Sequence, residues 1–349
     1  MPRSLAQFIV RAFNDGRLSY LVCTSTLIEG VNTRAKNVVI WDNSIAKRKL
    51  DYFTFNNIKG RSGRMFQHFI GRVYLFDHPP QQLLPFVDFP IFTQDSATPE
   101  ALLIQLEQAD LTESSRGRME KFVEEKTLSL KTLRANHSVD PARQIELARF
   151  IESNANKSWQ LLAWRGFPDR YEQFKFACKL IWEFLVDSSR RFGVTSASQL
   201  AFKTWQLYFQ TSIPARVLAE MRPSSWAAKD ANEAVERVLQ FDRNWAGFEL
   251  PKQLRTLSSI QGEVLQRLGL PFGDYSAFAM RCESGFRAPI IAALDEYGIP
   301  PEIGSKFLSL LRTSDDLDVG IDALRRLDVN TLKLTNFERE LVQNAQQSL

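Results

Sequence analysis

Three short apolar runs, at residues 20–23, 37–42 and 72–76, constrain this chain more than any other feature of it. Each is too short for a helix, is rich in β-branched or aromatic residues, and ends in a polar turn, so each reads as a buried strand. The stretches around them have helical spacing. Ser4 and Gln7 have the spacing of a capping box, Leu5, Phe8, Ile9, Ala12 and Phe13 recur at helical spacing, and Gly16 supplies a left-handed stop. Residues 50–58 have helix-compatible apolar spacing, which Gly60 to Arg64 interrupts. Strands alternating with helices predict an α/β segment built on a parallel sheet.

Beyond Pro80 the pattern changes. Residues 81–98 are rich in Pro, Phe and Gln and read as a linker, after which nearly everything has helical period. Asp140 before Pro141 is an N-cap followed by proline at the first helical position, and similar starts stand at Thr195-Ser196, Ser224-Ser225 and Pro300-Pro301. The expected organisation is an α/β segment over 1–80, the linker, and two helical subdomains over 99–240 and 241–349. No fixed-period repeat is present, which argues against a solenoid.

The 349 residues carry a net charge of only +4, but residues 1–72 hold 12 Lys+Arg against 4 Asp+Glu. Such a basic segment is the expected footprint of a polyanion, nucleic acid or nucleotide phosphate, although a solvated basic face accounts for the same count. No apolar run approaches the roughly 20 residues of a membrane span. Cys23, Cys178 and Cys282 are widely separated, form no C-x-x-C pair and have three histidines in the chain to join them, so no metal site is read and a reducing cytoplasm is expected.

The turns of the first segment hold the candidate chemistry. After the first run comes Cys23-Thr24-Ser25-Thr26-Leu27-Ile28-Glu29-Gly30-Val31-Asn32, where hydroxyls, a glycine and an amide suit a phosphate backbone or a ribose. Ligands of open α/β sheets lie beyond the carboxyl ends of the strands, and these turns are expected there. Later comes Gly60-Arg61-Ser62-Gly63-Arg64, with two guanidiniums among glycines that let the backbone approach closely. The planar fork of arginine suits phosphoryl oxygens and stays charged at any relevant pH. Lys47-Arg48-Lys49, after the second run, is placed to meet phosphates, with a solvated loop as the equal alternative.

In this order the two stretches resemble the fifth and sixth motifs of the second RecA-like domain of superfamily 2 nucleic-acid helicases, nearest to the DExH-box enzymes of the superkiller type. Those motifs read approximately A-T-x-T-x-x-x-G-V-N and Q-M-x-G-R-x-G-R; here they stand at 23–32 and 57–64. The resemblance covers residues 1–77 and implies an incomplete RecA-like sheet of the P-loop NTPase type. It also implies roles: strand contacts at Thr24 with Ser25, Thr26 and Lys47 beside it, nucleotide contacts at Gly30, Asn32, Asn57 and Gly60, and arginine fingers at Arg61 and Arg64. Fingers of this kind contribute about 10³ to 10⁵ in rate. Asn57 departs from the family, which has glutamine there.

No G-x-x-x-x-G-K-[ST] occurs in the chain. Asp295-Glu296 follows the arginine motif rather than preceding it and reads as a helix end before Gly298. ATP and its Mg are therefore expected to be held mainly by a first RecA-like domain outside this chain, with DNA or RNA as the other partner. The resemblance implies that the chain begins inside its own domain, as a truncated or split product or from a mis-called start. The sequence reading is the C-terminal part of an ATP-dependent helicase or translocase, inactive without that first domain; the alternative is a non-catalytic nucleic-acid-binding or regulatory subunit. Trp159, Trp164, Trp182, Trp205, Trp226 and Trp245 read as core, with base stacking as the alternative.

Overall fold

A computed structural model describes residues 3–24, 33–45, 48–63, 70–82, 89–210, 212–224, 226–311 and 316–349. The chain is mostly helical, and its Cα positions divide into two compact units, Met1–Val87 with Pro289–Leu349, and Asp88–Ala288. No helix among the described residues is long and apolar enough to cross a membrane.

The first unit opens with helix α1 (Arg3–Asn14), whose Val10 and Ala12 are buried. Gly16 ends it at φ 75°, so that the amides of Arg17 and Leu18 turn back to the Ala12 carbonyl. The expected strand at 20–23 does not form. That segment carries no regular secondary structure, with Tyr20 89% and Val22 98% exposed. A strand exists only through a neighbour that takes its backbone hydrogen bonds, and the apolar run has none among the described residues.

The other two runs do pair. Strand β1 (Asn37–Ile40) lies parallel to β4 (Arg72–Leu75), with Val38 opposite Val73 and Val39 opposite Tyr74. Between them come the short antiparallel pair β2 (Ser44–Ile45) and β3 (Arg48–Lys49), and helix α2 (Tyr52–Lys59). Asp51 caps α2, its carboxylate accepting from the Thr54 amide at 2.7 Å and the Thr54 hydroxyl at 3.0 Å. Period-2 alternation turns Val38 and Ile40 onto a small core of Leu50, Phe55 and Ile58.

The second unit is helical throughout: α3 (Glu113–Val123), α4 (Pro141–Leu162), α5 (Tyr171–Leu180), α6 (Ala197–Phe209), α7 (Ile213–Glu220), α8 (Ala231–Gln240), α9 (Leu250–Arg267) and α10 (Ser276–Glu283). The sequence caps at Asp140 and Ser196 are realised, each side chain accepting an amide of the first turn. The start expected at Ser224-Ser225 is not, because Asp230 caps α8 instead through the Glu233 amide; Ser225 lies outside the described residues. A wide π-helical segment, Phe241–Glu249, joins α8 to α9 without a break. The boundary expected near 240 therefore falls inside a continuous helical run, and the helices from Pro289 onward group with residues 1–87.

This unit buries Phe174, Trp245, Tyr275 and Phe278 completely. Several polar groups inside are matched: the Gln144 amide donates to the carbonyls of Leu133, Asn136 and Val139, Gln261 exchanges two bonds with the backbone of Gly273, and the Tyr275 hydroxyl donates to the Leu162 carbonyl at 2.7 Å. Trp245 stacks on Trp182 with centroids 6.0 Å apart, and its indole N–H donates to the Arg191 carbonyl at 2.9 Å. Trp164 is buried, and Trp159, Trp182 and Trp205 pack half-buried on the same core, as expected of helical spacing; Trp226 is exposed.

Helices α11 (Pro289–Glu296), α12 (Leu317–Arg326) and α13 (Asn336–Ser348) complete the first unit. The chain turns after α11 at Gly298, φ 87°, which makes Asp295-Glu296 the helix end read from sequence. Gly320 lets α12 approach α11 closely, since a Cβ there would lie 2.6 Å from Ile290 Cδ1. Phe8 of α1 meets Phe337 of α13 edge-on at 4.7 Å, and Arg17 pairs with Glu340 at 2.8 Å.

Candidate functional site

The arginine motif leaves the last turn of α2 as a tight backbone coil. The Gly60 amide donates to the Asn56 carbonyl at 2.8 Å, the Arg61 amide to Ile58 at 3.0 Å and the Ser62 amide to Lys59 at 3.1 Å. The Ser62 hydroxyl repeats the bond to the Lys59 carbonyl at 2.8 Å. Gly63, at φ 65°, then donates to the Ala35 carbonyl at 3.1 Å, and the Arg72 amide donates to Lys36 at 3.2 Å. Gly63 and Gly71 touch backbone to backbone: a Cβ on either would lie 2.5 Å from the amide nitrogen of the other. Only glycine fits both positions, and Gly63 also needs the left-handed region.

This clasp ties the coil that carries Arg61 to Ala35, which stands three residues after Asn32 in the sequence. It also fixes where the coil lies. Ala35 and Lys36 precede β1 and Gly71 precedes β4, so the coil sits at the amino ends of the two strands. The expectation of a site at the carboxyl ends is corrected here: α2 returns the chain to the start of the sheet before the arginine motif is reached.

Charge is distributed to match. Exposed Lys36 and Arg72 stand at the amino ends of the strands, exposed Lys59 closes α2, and Arg61 is half-buried beside it. The opposite end is mixed: Asp42 follows β1 and Asp77 follows β4, but exposed Arg48 and Lys49 stand in the short antiparallel pair that comes next after β1. Asp51, at the far end of α2, is held below its ordinary pKa by the Thr54 amide, then by the Thr54 hydroxyl. The amino end of the sheet can thus attract an anion. Lys36, Lys59 and Arg72 escaped sequence reading because no motif marks them; only strand register brings them to one edge.

Asn57 is exposed in the last turn of α2, Gly60 is exposed just beyond it, and Thr24 is exposed just after the 20–23 run. Ser25, Thr26, Gly30, Asn32, Lys47 and Arg64 lie outside the described residues. No group of His, Cys, Asp and Glu that could hold a metal occurs among the described residues. Cys178 and Cys282 are fully buried, and burial pushes both thiols up, so neither is placed to act as a nucleophile.

No protein-family model matches the sequence. Anti-bacteriophage protein B of Escherichia coli (strain K12) is similar to it, 31% identical over 332 residues. The alignment takes in 91% of this chain and 45% of that protein, so the chain spans less than half the length of the relative it matches.

Proposed function

We propose that this chain is the C-terminal part of an ATP-dependent nucleic-acid helicase or translocase that serves defence against bacteriophage. Arg61 and Arg64 act in it as arginine fingers on a triphosphate held mainly by a first RecA-like domain outside the chain. One observation supports the reading: the Gly63–Ala35 clasp holds the arginine coil at the cationic end of a parallel strand pair, and Ala35 stands three residues after Asn32 in the sequence. An arginine presented at such an edge can neutralise charge building on a transferring γ-phosphate, while Thr24, Ser25, Thr26 and Lys47 hold the DNA or RNA strand. The phage-defence part rests on the name of the relative.

The test supplies the chain with the unmatched part of the relative as a separate polypeptide, and measures ATP hydrolysis with and without single-stranded DNA or RNA. Strand-stimulated turnover is expected to fall about 10³-fold or more in Arg61→Ala and in Arg64→Ala. In cells, both variants should lose protection in a phage plating assay. Turnover indifferent to both substitutions removes the motor reading.

The absence of any phosphate-binding loop from the sequence favours one second reading, a nucleic-acid-binding or regulatory subunit without turnover. That reading expects salt-sensitive strand binding that weakens in Thr24→Ala and Lys47→Ala, with no ATP hydrolysis in any pairing.

A further inference from the structure

Three stretches far apart in sequence are stitched together at the amino ends of β1 and β4. Residues 33–37 lead into β1, residues 57–63 leave α2, and residues 70–72 lead into β4. The stitches are made by backbone: the Gly63 amide to the Ala35 carbonyl, the Arg72 amide to the Lys36 carbonyl, and the contact of Gly63 with Gly71. Together the stretches carry five cations, Arg34, Lys36, Lys59, Arg61 and Arg72, and no Asp or Glu. Arg34 is held by α1, its amide donating to Asn14 Oδ1 at 2.8 Å and its guanidinium to the Asn14 carbonyl at 3.3 Å. Lys36, Lys59 and Arg72 are exposed and have no ion-pair partner among the described residues. Elsewhere exposed cations find carboxylates, as Lys121 does in Glu100, Arg149 in Glu125 and Lys306 in Glu338. Like charges gathered without a counter-charge repel one another, and a bound polyanion relieves them.

We infer that Lys36, Lys59 and Arg72 form a track for the sugar-phosphate backbone of a nucleic-acid strand, which passes round the amino end of the sheet beside Arg61. Strand alternation sets Lys36 on the α2 face with Val38 and Ile40, and Arg72 on the opposite face with Val39 and Tyr74. Lys59 stands at the end of α2, one turn of coil before Gly63. A ligand that meets all three cations must therefore cross two strands about 4.8 Å apart, from one face to the other, and run past the coil. The phosphates of a nucleoside triphosphate form one compact group and meet a single face. A nucleic-acid strand repeats a phosphate at every nucleotide and can follow the whole edge. Gly60, Gly63 and Gly71 lie along the same path, and without side chains they let a sugar-phosphate backbone approach the main chain between the cations. Contacts made to phosphate alone carry no sequence information, so the track holds a strand without reading it.

The track rests on the proposed function for the class of its partner, nucleic acid, but its test uses neither ATP nor a second polypeptide. Binding of fluorescent oligo-dT and oligo-U to the full chain is measured by anisotropy over a series of salt concentrations. Joint replacement of Lys36, Lys59 and Arg72 by Gln should weaken binding at least about tenfold and flatten the log–log salt slope by about 2, each phosphate contact on a single strand contributing about 0.7. The same loss of charge at exposed Lys126, Lys131 and Lys157 of the second unit should change it less than about twofold. In the unaltered protein, bound oligonucleotide should protect Lys36 and Lys59 from an amine-reactive label several-fold, a readout that needs no variant to fold. Absence of strand binding, equal losses in the two triple variants, or unprotected Lys36 and Lys59 overturns the track. So does inorganic tripolyphosphate that competes, phosphate for phosphate, as well as the oligonucleotide, which assigns the edge to a triphosphate. Binding that falls in Thr24→Ala and Lys47→Ala but not in the Lys36, Lys59 and Arg72 variant removes the track and leaves the proposed function standing. Turnover indifferent to Arg61→Ala and Arg64→Ala removes the motor and leaves the track.

Discussion

The helical unit Asp88–Ala288 and the α/β segment around β1 and β4 are built to different degrees of self-sufficiency. The first closes its own core around large side chains that are wholly buried, and finds partners for the buried amides of Gln144 and Gln261. The second rests on three buried residues under one face of a two-stranded sheet, leaving the other face and both outer edges without a partner among the described residues. A region that satisfies itself is expected to hold its shape alone; one that does not is expected to be completed by something else.

The contrast breaks first at Trp245. Its removal opens a large cavity beside Trp182 and orphans the Arg191 carbonyl that accepts its indole N–H. Trp245→Ala should cost about 3 to 5 kcal/mol, read as a lowered midpoint of chemical denaturation, and Trp245→Phe less. Phe55→Ala, in the small core, should leave that main transition in place and raise amide exchange only in α2, β1 and β4. A Phe55→Ala midpoint lowered as much as that of Trp245→Ala would mean that the two regions fold as one.

A smaller effect sharpens the same comparison inside the α/β segment. Gly63→Ala forces a Cβ against the Gly71 backbone at a positive φ, a strain of about 1 to 3 kcal/mol. The amides of Gly63 and Arg72, which donate to Ala35 and Lys36, should lose exchange protection, and strand-stimulated turnover should fall with the arginines intact. Unchanged protection at position 63 in the alanine variant would show that the clasp does not depend on the glycine contact.

Sequence made the self-sufficient parts visible because their signals are local. Asp140-Pro141, Ser196 and Gly16 announce helix ends by chemistry within one turn, and 37–40 and 72–75 announce strands by alternation. Residues 20–23 carry the same apolar signal as those two runs, yet a strand there depends on a neighbour the local sequence cannot supply. Phe241–Glu249 hid its continuity because a π-helical segment shifts the apolar phase between two ordinary helices, imitating a boundary. The cationic edge was invisible for a third reason. Lys36, Lys59 and Arg72 are distant in sequence and meet only after α2 crosses back, which register decides and composition does not.

The subtlest probe of the segment is its pH dependence, set by Asp51. Its carboxylate is held below the ordinary value, chiefly by the Thr54 amide at the start of the helix that delivers Arg61. For a group whose folded pKa is depressed, the stabilisation is present above the unfolded pKa and is lost as pH falls through the folded one. Protection of the first-turn amides of α2 should therefore hold from neutral pH down to about 4 and decline below it, the ordinary aspartate value being about 3.9. Asp51→Asn caps as well without titrating, so its protection should be flat across that window. Asp51→Ala should be unprotected at every pH, and if it kept the acid-side decline the titrating group would have to be another carboxylate.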